Sequence, residues 1–327
     1  MTAFSGEHFC TLFDSSYLVK GLAMLRSLVR HAPGCTVHVL CLDDTTREVL
    51  EAVGPTGVRC QSLEEVEDGE LRAARSDRSW GEYCWTLASA YTWHVLSRDP
   101  AVGRLTYLDA DLWFFSDVTP LLAEIGSASI AVTEHRYAPH LRALEANGRF
   151  CVQWVSFRRD EEGLACLERW RRQCLAWCHH RLERGRMGDQ KYLDDWPRLY
   201  RSCHVVRHAG AGVAPWNYVR YMIRETSDGT VWVDDVPLIF YHFHQFEILR
   251  GGGFDRMCAR YGAGVPPPEP VYRRYEAAVE DTIRLVRETV PGFACGMRSR
   301  ASVRAQRLVQ RYVPRAAKDA LRRLVTR

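Results

Sequence analysis

Two carboxylates at i and i+2 are the first residues here whose type and spacing suggest chemistry. Asp109 and Asp111 follow an apolar run in Tyr107-Leu108-Asp109-Ala110-Asp111-Leu112-Trp113. In extended chain such a pair projects to one side. Hard oxygen donors at a strand tip suit Mg²⁺ or Mn²⁺, with coordination positions left for phosphate oxygens. Short motifs of this kind recur by chance, so the rest of the chain must supply context. Gly188-Asp189-Gln190 offers a further carboxylate and an amide at the start of a predicted helix, where Asp is also a common N-cap. His242 and His244 share one face of a predicted strand beginning at Pro237. They read either as metal ligands or as hydrogen-bonded core imidazoles. Pro215-Trp216-Asn217-Tyr218 is an aromatic loop carrying an amide, suited to a packed turn or to part of a sugar-binding wall. Trp85, Trp93 and Trp113 read as core. Cys174, Cys178, His179 and His180 have soft-ligand chemistry, but the two cysteines continue an apolar stripe and no second Cys pair follows at zinc-site spacing. The pairs Asp43-Asp44, Asp194-Asp195 and Asp234-Asp235 read as loop or cap residues.

The elements that must position these groups follow a β-α-β-α rhythm. Strands are predicted at 8–13, 36–42, 57–61, 104–108, 129–133 and 152–157, and helices at 17–31, 44–53 and 83–97. The apolar residues of the 17–31 segment recur at helical spacing, from Leu18 through Leu22, Leu25 and Leu28. A long helix is expected over Asp160 to Arg184, with Leu164, Leu167, Cys174, Leu175, Cys178 and Leu182 along one side. Shorter strands are expected near 203–206, 231–233 and 238–241. Alternation of this kind argues for a mostly parallel sheet with helices on both faces, an α/β class. Gly251-Gly252-Gly253 and Pro266-Pro267-Pro268 mark a change to helical, charge-rich sequence. The expected division is therefore 1–250 for the chemical body and 251–327 for a helical, basic extension.

Composition sets the outer bounds. The 327 residues, 46% hydrophobic and 26% charged, exclude disordered, collagenous and coiled-coil classes. The longest stretch without Lys, Arg, Asp or Glu runs from Tyr83 to Ser97 and contains Thr, Ser and His, too short and too polar to span a bilayer. The opening MTAFSGEHFC has no secretory pattern. Twelve cysteines without a Cys-x-x-Cys pair read as reduced, mostly buried thiols, so a cytoplasmic location is expected. Charge is unevenly spread. From Arg298 to Arg327 there are ten Lys or Arg and one acid, against a net charge of +4 for the whole chain. This segment, with apolar residues between its arginines and an interruption at Pro314, suggests two short basic amphipathic helices. They would contact the inner face of an anionic membrane peripherally, or pack on the body. No nucleic-acid-binding module accompanies the basic residues.

The ordered set of motifs resembles the metal-dependent, retaining nucleotide-sugar glycosyltransferases of the GT-A fold, specifically glycosyltransferase family 8. The carriers are Thr11-Leu-Phe-Asp-Ser-Ser-Tyr17, Gly21-Leu-Ala-Met-Leu-Arg-Ser-Leu28, Tyr107-Leu-Asp-Ala-Asp111, Gly188-Asp-Gln190, Pro215-Trp-Asn217 and His242-Phe-His-Gln245. Together they span roughly residues 8 to 250. The resemblance implies a GT-A-like, Rossmann-like mixed sheet and transfer of a sugar, UDP-linked by expectation, from a nucleotide diphosphate-sugar to an acceptor. It implies Mn²⁺ or Mg²⁺ held by Asp109, Asp111 and His242. Leu12, Phe13, Asp14 and Tyr17 would hold the base, Asp109 would also touch the ribose, and Trp216 and Asn217 would line the donor site. Asp189 and Gln190 would lie beside the anomeric carbon. The sequence departs from the family pattern where Phe150-Cys151-Val152-Gln153 stands in place of Phe-Asn-x-Gly, and where the Lys-Pro-Trp downstream of His242 is missing. Two other readings compete. One is a non-catalytic nucleotide-sugar binder; the other is a phosphohydrolase of the haloacid dehalogenase type, which also carries Asp-x-Asp after a strand.

Overall fold

A computed structural model describes residues 6–256 and 261–312. The chain runs β1 (His8–Phe13), α1 (Leu18–His31), β2 (Thr36–Cys41), α2 (Asp44–Val53), β3 (Val58–Ser62), the short α3 (Leu63–Val66) and α4 (Gly69–Arg75), and α5 (Trp80–Arg98). It continues through β4 (Arg104–Leu108), β5 (Leu112–Phe114), α6 (Thr119–Ile125), β6 (Ile130–Glu134), β7 (Phe150–Arg158), α7 (Glu161–Ala176), α8 (Trp196–Leu199) and β8 (Cys203–Val205). A small antiparallel sheet of β9 (Ile223–Glu225), β10 (Val231–Val233) and β11 (Val236–Pro237) leads to β12 (Phe240–His242).

Seven strands form the main sheet in the order β3-β2-β1-β4-β7-β6-β8. Pairings from β3 to β4 are parallel, β7 runs antiparallel to both neighbours, and β8 is parallel to β6. The mixed, mostly parallel α/β sheet expected from the sequence is therefore present. Both faces are covered, so β1 is buried along its whole length. Its side chains still alternate: Phe9 and Phe13 enter the core beneath α1 and α2, while Cys10 and Leu12 enter the core beneath α5 and α7. α1 lies close over β1 because Gly21 has no side chain; a Cβ there would sit 2.6 Å from the Phe13 ring.

Local signals start the helices. Asp43 caps α2 by accepting from the Thr46 amide at 2.8 Å, and Ser79 with Glu82 forms a reciprocal capping box on α5. α7 stops at Ala176, eight residues short of the expected end. The Leu175 carbonyl is taken by the Arg78 guanidinium and the Trp177 carbonyl by the Tyr192 hydroxyl at 2.7 Å. Both partners come from distant sequence, so the helix ends although the apolar spacing continues. Leu182, expected on its buried side, is 48% exposed in the loop that follows.

Beyond residue 250, α9 (Glu269–Thr289) packs on α1 and α2 and contributes Val271, Tyr272, Tyr275, Val279 and Val286 to the core they share. α10 (Arg300–Tyr312) follows. Val303 is buried against Leu249, Arg307 pairs with Asp255, and Arg298, just before the helix, donates to Glu247 at 2.9 Å. Part of the basic segment thus packs on the body, while Leu308 and Val309 remain exposed. The expected second helix, after Pro314, lies outside the described residues. Among the described residues no helix is long and apolar enough to cross a membrane.

Candidate active site

A cavity of about 1110 Å³ opens at the carboxyl ends of β1 and β4, where ligands of open α/β sheets bind. β4 delivers Asp109 and Asp111 to its floor. The third group arrives from far along the chain because β12 pairs antiparallel with β5, setting His242 opposite Leu112. The Phe243 amide donates to the Asp111 carbonyl and the His242 amide to the Val213 carbonyl, each at 2.9 Å. His242 Nε2 lies 3.0 Å from Asp111 Oδ1 and 3.9 Å from Asp109 Oδ2.

Gln153 on β7 ties these pieces together. Its backbone carbonyl accepts from the Asp109 amide at 3.2 Å, and its side-chain Oε1 accepts from His242 Nδ1–H at 3.0 Å. That bond fixes the ring's orientation and points Nε2 at the two acids. The Trp216 ring meets the His242 ring edge-on at 5.1 Å, and His244 lies 5.7 Å from His242.

The electrostatics separate the two acids. Burial opposes ionisation of Asp111, but the adjacent His242 imidazolium outweighs it and holds the carboxyl well below the usual range. Burial equally opposes charge on His242, and Asp111 outweighs it, raising the imidazole well above its ordinary value. Burial pushes Asp109 upward, with Asp111 adding to the rise. The donor atoms that lie within 4.8 Å of one another here are those of Asp109, Cys151 and His242; Asp111 meets His242 but falls outside that group. A carboxylate, a thiol and an imidazole together fit a divalent cation.

Asp189 and Gln190 also line the cavity. Gly188 adopts φ +54°, a conformation that side chains disfavour, and turns the chain so that Asp189 faces the cavity. Asp189 makes no side-chain cap to the 3₁₀ turn that follows, Gln190–Asp195, so the N-cap alternative does not describe it. It is 7% exposed, and burial, helped by Asp109, pushes its carboxyl up to about 8. Gln190 spends its amide nitrogen on the Asn147 carbonyl at 2.9 Å.

No family model matches the sequence. YfnD of Bacillus subtilis (strain 168), itself uncharacterised, is 33% identical over 293 residues, covering 88% of this chain and 94% of YfnD. This chain belongs to the YfnD family. The uncharacterised YfnF of the same organism is 28% identical over 250 residues, covering 74% of this chain and 82% of YfnF. Among solved structures, galactosyltransferase LgtC in complex with donor and acceptor sugar analogues matches with a TM-score of 0.50 at 15% identity, over 84% of this chain and 95% of LgtC. The fold is the GT-A fold. It removes the haloacid-dehalogenase alternative, which requires a different architecture.

The cavity wall includes Leu12, Phe13, Asp14, Tyr17, Trp216 and His244 in addition to the groups already placed. Asn217 is different. It is fully buried and absent from the wall. Its Nδ2 donates to the His135 and Gly212 carbonyls and its Oδ1 accepts from the Ala214 amide, all at 2.9 Å. With every polar atom spent on the turn, Asn217 braces Trp216 from behind and does not contact a donor. Among the wall residues that escaped the sequence reading are two tryptophans. Trp85, expected in the core, lines the cavity, as does Trp80, whose indole N–H donates to Asp14 Oδ2 at 2.6 Å. The Ser79-x-x-Glu82 capping signature was the available signal, since it starts α5 at Trp80 and puts both rings in its first turns. Cys151 also lines the cavity beside His242.

Proposed function

We propose that this chain is a glycosyltransferase that moves a sugar from a nucleotide diphosphate-sugar, UDP-linked by preference, to an acceptor, with a divalent metal and with retention at the anomeric carbon. The observation carrying this reading is His242 Nε2 at 3.0 Å from Asp111 and 3.9 Å from Asp109 on the floor of the cavity. Leu12, Phe13, Asp14 and Tyr17 would hold the base, and the acid–imidazole group the diphosphate. Asp189 and Gln190 would flank the sugar.

A metal held by Asp109, Asp111 and His242 would neutralise charge growing on the departing diphosphate. The residues themselves supply the rest. Gln153 keeps the His242 ring in one orientation, so no reorganisation is required when a donor arrives. Asp189, with its carboxyl pushed up to about 8, keeps its proton at neutral pH and can donate a hydrogen bond to a sugar hydroxyl. Gln190 has its nitrogen occupied, which leaves its oxygen for the positive charge that develops at the anomeric carbon.

A screen of UDP-, GDP- and TDP-sugars with Mn²⁺, read as nucleotide release with and without acceptor candidates, tests the reading. Release with one nucleotide class, lost with chelator, supports it; binding without release or transfer from any donor would favour the non-catalytic binder. We place the protein in the cytoplasm, with residues 298–327 as its contact with anionic lipid. Deleting that segment should abolish liposome co-sedimentation, and unchanged binding would retire the contact.

A further inference from the structure

We propose that Cys151 is a ligand of the metal site, making it a mixed oxygen, nitrogen and sulfur centre that prefers Zn²⁺ or Co²⁺ to Mg²⁺. This rests on the metal reading above and deepens it by naming the class of ion. Asp109, Cys151 and His242 each present one donor atom, and the three atoms lie within 4.8 Å of one another. Among the described residues this is the one such group of three or more.

The backbone explains why the sulfur points there. The register between β6 and β7 shifts after Val132, so that Thr133 faces Cys151 whereas Val132 faces Val155. Irregularities of this kind re-aim side chains beside functional sites. Cys151 and Gln153, two residues apart, both reach His242, the first through its thiol and the second through its amide oxygen. Cys151 is 4% exposed and bonded to no other cysteine. The bland role for its sulfur is packing against Ala214, Trp216 and Tyr261.

The donor chemistry discriminates between ions. Mg²⁺ demands an octahedral oxygen set and keeps several waters. A thiolate with an imidazole and a carboxylate suits a borderline-soft ion, which accepts all three donor types in a low-coordinate site. Coordination releases the thiol proton and the His242 Nε2 proton to solvent and forms the metal–sulfur and metal–nitrogen bonds with no change of oxidation state.

The test uses the full-length protein, stripped with chelator and reloaded with one equivalent of Co²⁺. Ligand-field bands together with a near-ultraviolet sulfur-to-cobalt charge-transfer band are expected. In Cys151→Ser the ligand-field bands should persist and the charge-transfer band should vanish. By calorimetry, Cys151→Ser should lose about ten- to a hundredfold in Zn²⁺ affinity, with Mg²⁺ affinity unchanged. X-ray absorption of the zinc-loaded wild type needs no variant. One sulfur at about 2.3 Å supports the proposal, and a shell of nitrogen and oxygen alone overturns it. Ligand-field bands without charge transfer in the wild type, or charge transfer that survives in Cys151→Ser, would overturn thiol ligation and leave the metal reading standing. Failure to bind cobalt at all would overturn both.

Discussion

His242 and His38 are almost equally buried, at 5% and 7% exposed, yet their surroundings drive them to opposite charge states. His38 on β2 and His8 on β1 stack with ring centroids 5.5 Å apart, and His8 Nδ1 lies 3.3 Å from His38 Nε2. Burial, the neighbouring imidazole and Arg59 together bring His38 down to about 4, against a smaller opposing pull from Asp99. At His242 the same burial meets a carboxylate at 3.0 Å and the imidazole is held charged. The contrast teaches that burial beside other cationic groups makes a histidine a neutral packing group in this fold. Carboxylates just beyond β4 hold another, equally buried histidine in its charged form.

The comparison can be broken most sharply at Asp111. Asp111→Asn should lower nucleotide release by about 10²–10³-fold or more, since it removes a group aimed at developing charge. Turnover equal to the wild type, with circular dichroism showing an intact fold, would sink the site assignment. The neutral pair gives the next largest effect, on stability. Between pH 6.5 and 4 the unfolded chain takes up a proton at His38 that the native state refuses, so stability falls as pH drops through that window and levels off below it. The loss is about 3 kcal/mol for His38, and His8, also lowered by burial, adds to it. Urea unfolding of the wild type against His38→Gln should show the shallower pH slope in the variant; identical slopes would refute neutral burial.

Gln153→Leu sharpens the other side of the comparison. Freed from its amide partner, the His242 ring is no longer fixed, and metal affinity should fall about ten- to a hundredfold by calorimetry. The smallest effect is expected at an acid with purely structural duties. Burial acts against charge on Asp43, but its hydrogen bonds from Thr46 and Ser15 outweigh it and hold the carboxyl below the usual range. Asp43→Ala should cost about 1 kcal/mol of stability through the lost cap and leave nucleotide release unchanged.

Much of the sheet was legible because its signals are local. β4 and α2 lie where apolar runs and turn residues put them, at Arg104–Leu108 and Asp44–Val53. The place of Asp109 just beyond β4 followed from the apolar run, but Asp109-Ala110-Asp111 is a turn between β4 and β5, not the extended chain expected. What stayed hidden depends on partners distant in sequence. Nothing near Ala176 announces that Arg78 and Tyr192 will end α7. Nothing near Asn217 shows that its amide will be consumed by His135, Gly212 and Ala214. Gln153 stands where the resembled family carries Gly, and its bond to His242 spans 89 residues. Spacing rules cannot reach across that interval.

The pairing of β12 with β5 also has a bearing on biosynthesis. The seven-stranded sheet has all its strands once Val205 has been made, but the imidazole that closes the acidic pair lies 37 residues further on. A polypeptide interrupted between those points would hold a nearly finished scaffold with its acids in place and no ring to meet them. Under the proposed metal reading, cation capture would thus wait until translation has passed His242.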